Sequence, residues 1–225
     1  MAGPHSANGV ESTVVSEVLK VRREKPDPQR IAYAAHLIRS GQVVAIPTDT
    51  LYGLAADPFN LHAVEQIYRI KGRPSHKPLL LLVGSLEQAE ELTDDPPPAF
   101  YGLARRFWPG PLTLVAPAAH KIPRKITGNT GKVALRWPKS TVPQALIGDL
   151  TLPLTGTSAN RAGQPACARA GDVQEQLGDR LALILDGGES GVNEPSTIVE
   201  VNSSGWKLVR EGAIPASEIM EFFEG

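Results

Sequence analysis

Apolar positions along this chain fall into short continuous runs separated by stretches with helical spacing. After Pro28, the residues Ile31, Ala34, Ala35 and Ile38 recur every three or four positions, and Gly41 follows. That pattern predicts a helix over 28–39. Leu61, Val64, Ile67 and Tyr68 predict a second helix over 60–70 in the same way. Shorter helical patterns occupy 86–92, 99–107, 142–147, 172–177 and 217–223. The runs at 43–47 (VVAIP) and 79–83 are too short for helices and predict buried strands. Further strands are predicted over 13–21, 112–116, 132–136, 152–155 and 181–185. Strands over 197–201 and 206–210 flank Asn202, Ser203, Ser204 and Gly205, a hairpin turn composition. Strands and helices alternate irregularly, with strand–strand neighbours late in the chain. The pattern therefore predicts an α/β domain with a mixed sheet. Residues 1–12 are small and polar and are expected to form a flexible tail before a single domain over 13–225.

Charge changes this picture more than overall composition does. The 225 residues are 41% hydrophobic and 21% charged, with 23 Lys and Arg against 24 Asp and Glu. A net charge of -1 excludes a globally basic coat for nucleic acid. The charge is unevenly placed. Residues 66–148 hold twelve cations and five acids, leaving +7, and the remainder holds eleven against nineteen, leaving -8. A local basic excess points to an anionic ligand, or simply to a solvated surface. One cysteine, Cys167, excludes a disulfide framework and a cysteine-cluster metal site. No apolar run approaches the ~20 residues of a membrane span. The opening MAGPHSANGVEST has neither the basic start nor the apolar stretch of a secretory leader. A cytoplasmic protein is expected.

The sequence has no GxxxxGK[ST], no GxGxxG after a strand, no HExxH and no GxSxG. The five histidines are scattered. Three polar segments instead sit at predicted element ends, where α/β proteins place ligands. Thr48, Asp49, Thr50 and Tyr52 follow the 43–47 strand; the plain alternative is helix capping with a core tyrosine. Lys71, Arg73 and Lys77 surround Gly72 and are stiffened by Pro74 and Pro78. Such cations suit phosphate, although a basic helix end also complements the macrodipole. Thr155 to Asn160 offers small hydroxyls and backbone amides able to cradle an anion, or an ordinary helix start. Arg136, Asp186 to Gly188, Ser196, Thr197 and Arg210 are further candidates at strand ends. Together these residues describe an α/β protein that binds an anion, with nucleotide phosphate the leading class and no P-loop.

PTDTLYGL, KGRP with KPL, FWPGPLTLV, VALRWP, TSAN, LILDGG, PSTIV and LVREGAI occur in that order. In this ordered set, from about Arg30 to Ile214, the chain resembles the YrdC-like threonylcarbamoyl-AMP synthase family in its single-domain form. The resemblance implies an open, twisted, mixed parallel and antiparallel sheet with flanking helices around a deep basic cavity. It implies a nucleotidyltransferase that joins L-threonine, bicarbonate or CO2, and ATP into threonylcarbamoyl-AMP and pyrophosphate. A partner threonylcarbamoyl-transferase complex then modifies tRNA beside the anticodon. Mg2+ is expected to arrive on the ATP phosphates. By the same resemblance Lys71, Arg73, Ser158 and Asn160 are the catalytic set. ATP falls to Arg73, Lys77, Lys132, Ser158, Ala166 and Arg210, with Ala166 acting through its backbone. Threonine falls to Thr48, Thr50, Tyr52, Arg136 and Ser196, with Arg136 the partner for its carboxylate.

Three positions depart from the family pattern. Leu82 stands where some members present a histidine to threonine. Ala166 and Cys167 replace a Ser/Thr-rich stretch. Asn193 to Pro195 is a local variant. Two alternative functions accompany the resemblance: a related carbamoyl-adenylate-forming enzyme, and a module that binds double-stranded RNA or tRNA on a basic face.

Overall fold

The computed structural model describes residues 16–192 and 194–224. In chain order the elements are β1 (Glu17–Lys20), α1 (Pro28–Arg39), β2 (Val44–Ile46), β3 (Gly53–Ala55), α2 (Leu61–Lys71), β4 (Leu80–Leu82), α3 (Leu86–Glu90), α4 (Pro98–Phe107), β5 (Leu112–Pro117), α5 (Arg124–Thr127), β6 (Lys132–Arg136), α6 (Thr141–Leu150), β7 (Leu154–Thr155), β8 (Thr157–Ser158), α7 (Ala170–Leu177), β9 (Leu183–Asp186), β10 (Thr197–Asn202), β11 (Gly205–Arg210) and α8 (Ala216–Glu224). Helix α1 has the predicted bounds because Asp27 caps the Gln29 amide at 2.9 Å and Pro28 fills a position needing no N–H. Helix α2 stops at Gly72, whose φ of 60° is left-handed.

The expected mixed pairing is present, and its strands form two hydrogen-bonded sheets. One has the order β1-β9-β2-β3-β8, the other β11-β10-β5-β6-β4-β7. Within them β1, β9 and β2 run parallel, as do β10 with β5 and β4 with β6. The sheets share one segment of chain: β7 and β8 are separated only by Gly156, whose amide donates to Leu80 at 2.8 Å. A Cβ on Gly156 would lie 2.6 Å from Leu82 Cγ, so the crossing requires glycine. Strands β3 and β8 and helix α5 escape prediction because two to four residues carry no readable period.

The larger core cluster gathers Tyr52, Leu54, Ile67, Leu81, Phe100 and Leu114, among others. The smaller one packs Ile31, Ala35 and Ile38 of α1 and Leu146 of α6 against Ile46, Leu82 and Leu185. The expected 1–12 tail and the first residues of the 13–21 strand lie outside the described residues, as does Asn193. No described helix is long and apolar enough to cross a membrane.

Candidate active site

The two faces of the second sheet differ sharply. Val133, Leu135, Leu114, Val199 and Val201 face the core and are at most 1% exposed. The alternate residues Ala134, Val115, Ile198 and Glu200 are half-buried. The strand register aligns Arg210, Ile198, Thr113, Arg136 and Leu82 as a row across this second face. Strand spacing puts Arg210 about 14 Å from Arg136, three strands away. Between them the Ser196 and Thr113 hydroxyls are 2.8 Å apart, and Arg210 donates from Nη2 to the Ser196 carbonyl at 2.7 Å.

Arg136 is held from several sides. Its Nε donates to the Gly110 carbonyl at 3.0 Å and its Nη1 to Thr50 Oγ1 at 2.8 Å. Nη2 lies 2.7 Å from Asp49 Oδ2. This is ion-pair contact off the hydrogen-bond axis, because Nη2 has no hydrogen-bond partner among the described residues. Burial lowers the Arg136 pKa, and Asp49 opposes that shift. The FWPGPL turn explains the Gly110 contact: Gly110 itself donates to the Trp137 carbonyl at 2.8 Å, fastening the turn to the end of β6.

The 47–52 loop connects this row to a second cluster. The Thr48 and Thr50 hydroxyls are 3.1 Å apart, and Thr48 Oγ1 donates to the Leu51 carbonyl at 2.7 Å. Buried Tyr52 donates to the Gly188 carbonyl at 2.7 Å, and burial pushes its phenol up to about 12. The Ala159 amide donates to the Tyr52 carbonyl at 2.8 Å, bringing Ser158 and Asn160 alongside. Lys71, only 3% exposed at the end of α2, donates to the Ser158 carbonyl, to the Asn160 carbonyl at 2.8 Å and to Asn160 Oδ1 at 3.2 Å. Ser158 Oγ donates to that same Oδ1 at 2.6 Å. Burial, reinforced by Arg73, lowers Lys71 from 10.5 to about 8. Arg73 donates from Nη2 to the Pro78 carbonyl at 3.0 Å, while its buried Nε has no partner. Among the described residues, neither Lys71 nor Arg73 is paired with a carboxylate.

A family model described as telomere recombination matches residues 36–212. The chain belongs to the Sua5/YciO/YrdC family. The threonylcarbamoyl-AMP synthase of Pyrococcus abyssi is 40% identical over 197 residues, covering 88% of this chain and 58% of that protein. The chain thus spans little more than half of that relative. The threonylcarbamoyl-AMP synthase of Vibrio campbellii is 36% identical over 177 residues, covering 78% of this chain and 95% of that one. The structure of P. abyssi Sua5 complexed with L-threonine superposes with a TM-score of 0.89 at 38% identity, covering 92% of this chain and 61% of that chain.

Within this family frame, some expected site residues converge and others do not. Lys71, Arg73, Ser158 and Asn160 form one cluster; Thr48, Thr50, Arg136, Ser196 and Arg210 form the adjoining one. Tyr52 is fully buried and ties the 47–52 loop to Gly187 and Gly188. Lys77 is exposed, and its carbonyl lies 2.9 Å from the Tyr68 hydroxyl, which also reaches the Lys125 carbonyl at 2.7 Å. Ala166 is exposed; the adjoining Cys167 is buried, and its carbonyl accepts from the Tyr52 amide at 2.9 Å. Lys132 shares a face with Arg136 but starts β6, about 13 Å away by strand rise. Its ammonium pairs with Glu200 at 2.5 Å. Leu82, next to Arg136 in the register, is buried and brings no polar group.

One expectation is corrected. The amides of the 155–160 segment do not form an open anion cradle: those of Thr155, Gly156, Ala159 and Asn160 all donate within the protein. Short segments that connect two sheets spend their amides on that connection. Arg23 lies in none of the sequence motifs yet supports the site. It donates to the Thr48 carbonyl at 2.7 Å and the Glu189 carbonyl at 2.6 Å, fastening the 47–52 loop from outside. Partners 25 and 166 residues away leave no local signal. Among the described residues no group of three His, Cys, Asp or Glu could hold a metal ion.

Proposed function

We propose that this chain is an L-threonylcarbamoyladenylate synthase, acting on L-threonine, bicarbonate or CO2, and ATP carrying Mg2+ on its phosphates. The observation that carries this reading is the adjacency of two unlike cationic clusters. Arg136 has an acid and hydroxyls around it, an environment suited to an amino acid. Lys71 and Arg73 have no carboxylate partner, an environment suited to phosphate. The family relatives named threonylcarbamoyl-AMP synthase and the threonine complex of P. abyssi Sua5 support the same assignment.

In this reading the threonine amine adds to CO2, and a carbamate oxygen attacks the α-phosphorus in line as pyrophosphate leaves. Two anions must approach, so the protein's part is to hold them and offset their repulsion; no protein nucleophile is needed. Arg136, with Thr50 and Ser196, takes the amino acid. Arg73 offers unfilled donors to phosphate, and Arg210 and Lys77 supply further positive charge. Lys71 has all three protons engaged, so it holds Ser158 and Asn160 in place and contributes charge at short range. The product serves tRNA modification through a separate transferase.

The test is pyrophosphate release from ATP with and without L-threonine and bicarbonate. Dependence on both is expected. Turnover on carbamoyl phosphate without threonine would instead identify a carbamoyl-adenylate enzyme. Absence of turnover with salt-sensitive RNA binding would identify an RNA-binding module.

A further inference from the structure

Two buried atoms beside each other lack hydrogen-bond partners among the described residues: Arg136 Nη2 and Asp49 Oδ1. They carry opposite charge and belong to one ion pair, whose other contact is 2.7 Å. Arg136 cannot turn to improve that contact, because Nε and Nη1 are fixed on Gly110 and Thr50. Asp49 retains 16% side-chain exposure against 3% for Arg136, so the pair is reachable at its acidic end, while Nη2 and Oδ1 themselves are shielded from solvent. An unsatisfied buried polar atom is costly, and a donor and an acceptor left without hydrogen-bond partners side by side are both completed by a ligand that itself carries both signs.

We infer that Asp49 receives the α-ammonium group of a zwitterionic amino acid whose carboxylate lies on Arg136. This rests on the amino-acid reading of the site given above. The surrounding side chains leave few other acceptors. Thr50 Oγ1 accepts from Arg136, Thr48 Oγ1 is engaged with Thr50 and the Leu51 carbonyl, and the Tyr52 hydroxyl is engaged with Gly187 and Gly188. Asp49 therefore sets the selectivity. It attracts the ammonium of an amino acid and repels a carboxylic acid that has none, which would bring a second negative charge to the same arginine. Residue 49 is a specificity residue that touches substrate, and its contact also fixes which way the amine points before carbamate formation.

The test is a binding cycle by calorimetry on the full chain. The ligands are L-threonine and (R)-3-hydroxybutanoate, the same molecule without its amine; the proteins are wild type and Asp49→Asn. Wild type is expected to prefer threonine by about 30-fold or more, the loss typical of an unpaired buried charge contact. In Asp49→Asn that preference collapses, with threonine weakened and 3-hydroxybutanoate bound no worse than by wild type. Equal weakening of both ligands overturns the inference, because it means Asp49 only positions Arg136. Equal affinity of wild type for the two ligands overturns it without the variant. Failure of wild type to bind threonine at all overturns the amino-acid reading itself, an outcome distinct from either.

Discussion

Lys71 is a buried cation with no carboxylate partner among the described residues, and this predicts an unusual dependence of stability on pH. Its ammonium is held at about 8, below the usual 10.5, by burial and by Arg73. The unfolded chain keeps its proton up to the ordinary lysine range, so above pH 8 the unfolded state binds more protons than the folded one. Stability attributable to Lys71 therefore rises with pH across that window. Below pH 8 both states are protonated and the full cost of the buried charge is present. Weighting the two protonation curves, the gain is about 1 kcal/mol between pH 8 and 9 and about 3 kcal/mol once the unfolded lysine also deprotonates. For a chain of this length, 1 kcal/mol corresponds to about 2–4 °C in Tm.

The assay is urea or thermal unfolding of wild type and Lys71→Met at pH 8 and pH 9. Cys167, pushed up to about 11 by burial, and Tyr52, pushed up to about 12, act in the opposite direction, the cysteine already as its unfolded thiol begins to deprotonate. Tyr52 is common to both proteins and cancels in the comparison; Cys167, whose upward shift Lys71 opposes, stays protonated in both folded proteins over this range and cancels as well. Wild type should gain about 1 kcal/mol on the variant between the two pH values. Parallel pH dependences would refute the reasoning, since they mean Lys71 keeps its ordinary proton affinity and is solvated in the folded protein.

Three other outcomes are expected. In the free enzyme, kcat/KM for ATP should decline above about pH 8 as Lys71 loses its proton, and a profile flat to pH 10 contradicts that role. Arg73→Ala should lower kcat/KM by about 100-fold or more while leaving the unfolding midpoint nearly unchanged, because its guanidinium makes a single hydrogen bond among the described residues. Gly212→Ala places a Cβ 2.2 Å from the Pro195 carbonyl oxygen and 2.7 Å from the Ser196 carbonyl carbon. It should destabilise by about 1–3 kcal/mol and raise KM for ATP by displacing Ser196 from Arg210, readable by unfolding and steady-state kinetics.

Much of this molecule was determined locally. Helix α1 follows from apolar spacing between Asp27 and Gly41, and α2 from the same spacing with a left-handed glycine at its end. The strands over 112–117 and 132–136 follow from apolar runs, and the ordered motifs from PTDTLYGL to LVREGAI identified the family and nominated Lys71, Arg73, Arg136 and Ser158. The tertiary structure decided what those residues touch. Strands β3 and β8, three and two residues long, exist only because the neighbouring sheet edge supplies their hydrogen-bond partners. Contacts to both sheets and within the loop consume the amides of Thr155, Gly156, Ala159 and Asn160 that sequence alone left free for an anion. Lys132 and Arg136 look alike in the sequence, four residues apart on one strand. One finds Glu200, 68 residues on, at the surface, and the other is buried against Asp49 and Gly110. Charge and period are properties of a residue and its near neighbours. Burial and partner choice depend on segments brought together from up to 166 positions away, as Arg23 and Glu189 are.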